Sequence, residues 1–567
     1  GVAEVDPALH DACLQPTGFG DGGGGPTPEM CERARIQARL SGCPQVEWGR
    51  IDDFFDDLNQ VRAKLPAYQG ELFLEYHRGT FTTHGDLKAA FRGLERALQV
   101  QEAACALLGA GPVDTHAWKR LIFSQFHDYI PGSSIREVYV EGLPELNGLA
   151  AQALADAAAR LGEGPLVMNP LPLARPATRL KQGQLERILL PPLAAVDAES
   201  LPGTPVAAPS AGPLSLQSDR VSVRLTPEGE ISALSVDGVP VAIAGSLNQL
   251  WIYPDHPHKY PAWDIDRQTL SLGRRLDTPV EVLPAQTGPG TASLGFRRRV
   301  GQASQLTVTY TLDARHAEVE VELDLDWQEQ DALLQAHFPT HYQGRFARFG
   351  APFNSVLRGQ QPGAPKDEAM FEACASRWAA VPDDSQSEGL HLITEAKYGM
   401  GCRDGDLHVS LVRSVRVTGE DIHHQRIFPE ANRDLSPRDP YSDRGRHCIR
   451  YALGRFHAAL PREAQPGALA DLLYTPTLPA AQAASAGLLA LSGGDSLLPA
   501  WAKPLPQGAW LLRLHESLGR AGTVTVSLAP GWTLARTQLS EADPQPCGPA
   551  VDFRPYEIVS LILQPPA

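Results

Sequence analysis

The sequence predicts an α+β multidomain protein in which a helical bundle precedes large antiparallel β-sandwich domains. Three observations predict it. The apolar residues of the first part recur with a helical period, the period changes to two beyond about residue 164, and the later part is punctuated by Pro and Gly without a βαβ rhythm. At 567 residues the chain exceeds one compact core and should divide into roughly three or four units.

From Pro28 onward the pattern is helical. Leu87, Phe91, Leu94 and Leu98 make one stripe of an amphipathic helix over 84–109, with Gly109 as its stop. The next helix begins near Asp114 or Thr115. There Trp118, Leu121, Ile122 and Gln125 share one face while Phe123 and His127 share another, so the helix is expected to be buried nearly all round. Ser134 with Glu137 reads as a capping box opening a third helix, which Gly142 and Pro144 should bend or interrupt and Gly162 should end.

In 317–327, Ala317, Val319, Val321, Leu323, Leu325 and Trp327 alternate with polar residues, the pattern of a half-buried antiparallel strand. Val221, Val223 and Leu225 do the same, and Asp237-Gly238 predicts a tight hairpin turn. Segments 195–217 and 478–510, rich in Ala, Pro, Ser and Gly, are expected to be linkers or long surface loops.

The charge of −16 argues against nucleic acid or an anionic membrane as partner, since both require clustered Lys and Arg. The eight cysteines show no CxxC pair and no dense framework, so reduced, mostly buried thiols are expected. No apolar run is long enough to span a membrane, and the start lacks a basic region followed by an apolar one.

The most informative stretch is Ser124–Gly132, SQFHDYIPG, which sets an imidazole beside a carboxylate where a helical pattern meets a Pro-Gly turn. Neutral imidazole is a standard zinc ligand, but a catalytic zinc takes three protein ligands. By itself the stretch also reads as a helix ending on a solvated His-Asp pair. Asp21 lies in GFGDGGGGPTPEM, which alone reads as a flexible linker and lacks the Lys-Ser/Thr ending of a phosphate loop. Trp263 and Asp264 lie in DHPHKYPAWDID. Tyr76, His77 and Arg78 in ELFLEYHRGTFTT read as structural, and IDDFFDD (51–57) as a solvated helix face.

Together with DEAMFEACASRW (367–378), EAKYG (395–399) and SDRGRH (442–447), these segments, in this order and spacing, resemble the zinc-dependent α-mannosidases of glycoside hydrolase family 38, especially its bacterial and cytosolic branch. The resemblance runs from about residue 11 to the C-terminus. It implies a retaining exo-α-mannosidase acting on mannose-containing oligosaccharides, with Zn2+ as cofactor and a bacterial cytoplasmic location. Homo-oligomerisation is left open.

The resemblance also assigns residues. His127 is similar to the family's C-terminal zinc ligand, Asp128 to a substrate contact, and Asp21 to the acid/base aspartate. Trp263 and Asp264 are similar to the family's DAWD element in a loop that reaches the sugar, although Pro261 stands where that element begins with Asp. Family members carry the remaining zinc ligands and the nucleophilic aspartate in a barrel ahead of GDGGGGPT. The chain is therefore expected to be a C-terminal portion without most of that barrel: a short barrel remnant (1–28), the helical bundle or middle domain (29–163) and the β-sandwich domains (164–567). As an isolated chain it is expected to be inactive. The rival expectation is a noncatalytic carbohydrate-binding or structural subunit that pairs with a separately encoded barrel.

Overall fold

A computed structural model describes residues 10–20, 23–68, 70–73, 75–361, 363–419, 439–485 and 487–566. The chain divides into two units between Leu72 and Phe73, not at residue 28 where the sequence reading ended the barrel remnant. The first unit carries two helices, α1 (Pro28–Gln37) and α2 (Ile51–Gln60). The Thr27 hydroxyl accepts the Met30 amide at 3.2 Å, and Pro28 supplies the fixed φ of a first turn. Asp52 and Asp53 sit in the first turn of α2, where the helix dipole favours negative charge. No residue of either helix is buried, in keeping with the solvated reading of IDDFFDD. No closed barrel occurs among the described residues.

The second unit opens with a helical layer of α3 (Gly85–Leu107), α4 (His116–Phe123) and α5 (Arg136–Leu161). Leu87, Phe91, Leu94 and Leu98 are all buried, packing with Leu121, Tyr139, Leu146 and Ala153. Each fully buried leucine contributes about 1.5–3 kcal/mol. Three expectations fail in this layer. α4 is not buried all round: within it only Leu121 is, while Ile122 and Phe123 face solvent at 62 % and 55 % exposure. α5 runs unbroken through Pro144, whose ring removes the bond to the Val140 carbonyl. Val140 is exposed, so water can serve that carbonyl instead. Ser134 does not cap α5. Ile135 holds the cap position without a side-chain bond, and the Ser134 amide instead donates to the Tyr139 hydroxyl.

The remainder is antiparallel sheet. A ten-stranded and a six-stranded sheet enclose the largest core, built from Trp327, Tyr310, Phe296, Phe338, Phe349 and alternate residues of neighbouring strands. Strand Val319–Trp327 alternates buried with more exposed positions along its whole length, as its sequence predicts. Val236 pairs with Val239 across the Asp237-Gly238 turn, both turn residues having positive φ (48° and 78°), the geometry of a type I′ hairpin. Segments 195–217 and 478–510 are not linkers. They carry short strands, among them Ser215–Gln217 and Leu497–Pro504, because their few apolar residues (Leu216, Leu497, Leu498) find partners in neighbouring sheets.

A C-terminal pair of five- and three-stranded sheets packs against the second half of α3. Glu102 ties the two, its carboxylate accepting from the indoles of Trp118 (3.0 Å) and Trp501 (2.8 Å). All eight cysteines are free, but only Cys105 is buried, against the expectation of mostly buried thiols.

Candidate functional site

α4 stops at Phe123, where the Ser124 hydroxyl turns back to the Leu121 carbonyl at 2.7 Å. The chain then runs through consecutive turns to Gly132. His127 stands on this stretch with 79 % of its side chain exposed, its ring 4.2 Å from that of Phe126 and its Nε2 3.5 Å from Asp128 Oδ2. Asp128 is held: its Oδ1 accepts the buried Ser133 hydroxyl at 2.7 Å, and its carbonyl accepts the Tyr139 hydroxyl at 3.2 Å. Burial pushes the Tyr139 phenol up from its ordinary value, so it stays a donor.

Two features below fix the turn. Gly132 has φ +86°, and a Cβ there would lie 2.6 Å from the Thr83 carbonyl oxygen. Only glycine fits such an approach. Lys88, buried on α3, donates its Nζ to the carbonyls of Thr83 (2.5 Å), Ile130 (2.8 Å) and Pro131 (3.3 Å). Burial pulls this amine down to about 7, with the Asp443 charge opposing the shift.

The 78–85 segment is where distant parts of the sequence meet. Asp443 accepts the amides of His84 and Gly85, both at 2.7 Å, and so caps α3, which has no side-chain cap of its own. The Thr83 hydroxyl reaches the Ala262 carbonyl (3.1 Å) and receives Arg413 Nη1 (2.9 Å). The Gly79 amide donates to the Trp263 carbonyl at 2.9 Å, and a Cβ on Gly79 would sit 2.1 Å from Arg413 Nη1. Arg78 pairs with Asp264 at 3.3 Å, donates to the Ala369 carbonyl, and stacks over Phe371 at 4.5 Å.

The candidate residues therefore divide. His127 is exposed and Asp128 is positioned beside it. Asp264 is engaged by Arg78 and by the Ile265 amide (2.9 Å), with 13 % of its side chain exposed, so it braces the loop. Trp263 is half-buried, its ring edge-on to Tyr260 at 5.6 Å. Asp21 lies outside the described residues. Sequence reasoning gave no role to Lys88, Asp255, Arg413 or Asp443. The signal for two of them was present, since Asp255 and Asp443 lie in segments that carry the family resemblance.

The turn offers one imidazole and one neighbouring carboxylate, fewer than the three protein ligands of a catalytic zinc. The other cluster with ligand-like spacing is Asp313, His316 and Glu320. It is explained by ion pairing. Asp313 is held by Arg315 at 2.7 Å, and His316 is bonded to Glu320 at 2.9 Å. Burial opposes the charge on His316, but Glu318 and Glu320 outweigh it and raise the imidazole to about 9, so a metal there would have to displace that proton. Both candidate clusters are thus engaged by neighbouring side chains.

Three family models match the chain: the glycosyl hydrolases family 38 N-terminal domain over 4–71, the α-mannosidase middle domain over 75–160, and the family 38 C-terminal domain over 216–418. The expected loss of the N-terminal barrel is not borne out by this, since the model of that domain matches up to residue 71. The chain is 28 % identical to α-mannosidase 2C1 of Homo sapiens, covering 99 % of this chain and 56 % of that protein. It is 24 % identical to an α-mannosidase of Saccharomyces cerevisiae, covering 80 % and 42 %. It thus spans about half the length of the curated relatives it matches. The fold is shared with the crystal structure of an α-mannosidase from Enterococcus faecalis, with a TM-score of 0.68 at 15 % identity over 94 % of this chain and 74 % of that one. With its N-terminal, middle and C-terminal segments all matched in order, the chain belongs to glycosyl hydrolase family 38.

Proposed function

We propose that this chain belongs to a retaining, zinc-dependent exo-α-mannosidase that removes terminal α-mannosyl residues from oligosaccharides in the bacterial cytoplasm. The observation that carries the reading is the built turn at 124–133. An exposed imidazole beside a positioned carboxylate is held from beneath by Lys88, Gly132 and Thr83, on the junction where the segments resembling the family meet. His127 would be one ligand of a zinc whose other ligands lie outside the described residues. Asp128 would accept hydrogen bonds from sugar hydroxyls, Trp263 would meet a ring face, and Asp21 would protonate the leaving oxygen and then activate water. Among the described residues no helix is long and apolar enough to cross a membrane.

Retention requires a second carboxyl roughly 5–5.5 Å from the acid, acting as nucleophile. The test is hydrolysis of p-nitrophenyl α-mannoside by the whole protein that contains this chain. Activity should be selective for the α-mannoside over the β-mannoside and α-glucoside, and should fall at least a hundredfold in His127→Ala with the fold intact. Undiminished activity in that variant would remove His127 from the site, and failure on every α-mannoside would remove the reaction.

A further inference from the structure

Nine arginines are buried among the described residues. Eight of them donate hydrogen bonds from the guanidinium to carbonyl, hydroxyl or carboxylate oxygens. Arg175, only 7 % exposed, alone has neither a hydrogen bond nor an ion pair from its side chain among the described residues. A buried charge without a partner is costly, and it is the observation that needs explaining.

The residue opens strand Arg175–Lys181, opposite Leu190 of the neighbouring strand. Its approach is fixed. Asn169, fully buried, donates its Nδ2 to the carbonyls of Leu173 (2.8 Å) and Pro191 (3.0 Å), and Leu171 and Leu173 enter a core with Leu469 and Leu472 of helix Pro466–Tyr474. Where the strand meets this helix and the ten-stranded sheet lies a cavity of about 360 Å3, lined by Arg175 and walled on one side by Leu460, Leu469, Leu472 and Leu473. The other cations of the lining are engaged. Arg220 pairs with Asp237 and Arg315 with Asp313, both at 2.7 Å, Arg455 with Glu388 at 2.9 Å, and His316 with Glu320 at 2.9 Å. Arg175 Nη1 is sealed from solvent. Nε and Nη2 are equally unbonded but keep accessible surface, so the edge of the fork that receives a carboxylate through two parallel bonds is open to the cavity. Burial and the like charge of Arg315 pull the guanidinium down to about 10, which leaves it charged at neutral pH.

The geometry points to a binding site for a small monocarboxylate with an apolar body, its two oxygens on the Nε–Nη2 edge of Arg175 and its hydrocarbon against the leucine wall. One unpaired positive charge calls for one negative charge. Asp237, Glu318 and Glu463 line the same cavity, so a doubly charged phosphate or sulfate would be repelled where a single carboxylate is neutralised. The volume lies within the roughly 300–1,000 Å3 of small-molecule pockets, whose usual lining is apolar with a few placed polar groups. This inference does not depend on the reaction proposed above.

Calorimetric titration of residues 1–567 with hexanoate, benzoate, their neutral amides and inorganic phosphate tests it. At least one of the two acids should bind with one-site stoichiometry and raise the thermal midpoint, at least tenfold more tightly than its amide and than phosphate. Arg175→Met should abolish that binding, and Arg175→Lys, which keeps the charge but not the fork, should weaken it at least tenfold. Leu473→Trp, which fills the cavity without touching the guanidinium, should also weaken it at least tenfold and carries the test should the Arg175 variants fail to fold. No saturable binding of either acid, binding unchanged in well-folded Arg175→Met or Leu473→Trp, or phosphate bound as tightly as the acids would overturn the assignment.

Discussion

Arg413 Nε lies 2.5 Å from Asp255 Oδ2, and both side chains are completely withdrawn from solvent. Arg413 also donates to the Thr83 hydroxyl and to the Asp264 carbonyl, so one guanidinium joins the start of the helical layer to two loops of the β region. Burial pushes the Asp255 carboxyl up, opposed by the arginine charge. Arg413→Met should therefore destabilise the protein by about 3–5 kcal/mol, because it strands a buried carboxylate. Adding Asp255→Leu should recover a large part of that loss in chemical denaturation. A double variant no more stable than the single one would mean that the guanidinium's bonds to Thr83 and Asp264 dominate.

Gly132→Ala should cost about 1–3 kcal/mol, since it combines a positive φ with a Cβ directed at the Thr83 carbonyl. The turn holding His127 should move with it. The check is the chemical shift of the His127 ring together with the thermal midpoint, and an unmoved ring signal would show that Lys88 alone positions the turn.

Two buried histidines should give opposite pH dependences. Burial holds His391 down at about 4, below its unfolded value of about 6.5. Its neutral form therefore contributes stability that is full above pH 6.5 and lost as pH falls toward 4. His316, raised to about 9 by Glu318 and Glu320 against burial, contributes stability that is full below pH 6.5 and lost as pH rises through 9. Relative to wild type, His391→Leu should flatten the acid limb and His316→Gln the alkaline limb, each by up to about 1.4 kcal/mol per pH unit. Urea midpoints at pH 4.5, 6.5 and 9 read both.

Removing divalent metal should leave the fold of residues 1–567 unchanged, because the one cluster with ligand-like spacing among the described residues, Asp313, His316 and Glu320, is already engaged in its own ion pairs. Thermal midpoints with and without excess chelator should agree within error. A drop of several degrees would reveal a structural metal.

Ile122, Phe123 and Phe126 are 62 %, 55 % and 55 % exposed on and just after α4. Exposed apolar side chains so close in sequence favour self-association. Light scattering should show concentration-dependent growth for residues 1–567, reduced by Ile122→Lys with Phe126→Ser and with little change in the melting temperature.

The local elements were determined by the sequence alone. The stripe Leu87, Phe91, Leu94, Leu98 makes α3, the alternation through Trp327 makes its strand, and Asp237-Gly238 makes its hairpin, because periodicity and turn chemistry act within a few residues. That His127 and Asp128 stand on a turn just past a helix end was legible too, through the Pro-Gly that follows them. Tertiary structure decided the rest. That Asp443 caps α3 and Arg413 pairs with Asp255 depends on contacts 358 and 158 positions apart, to which no local period refers. That α4 leaves Ile122 and Phe123 in solvent was hidden because amphipathicity says which faces could be buried, not how many neighbours arrive to bury them. The polar face of Gln335, His337 and His408 in the six-stranded sheet shows the converse. Its alternation is that of a solvated sheet surface, and only the segment folded over it turns that surface into the wall of a cavity.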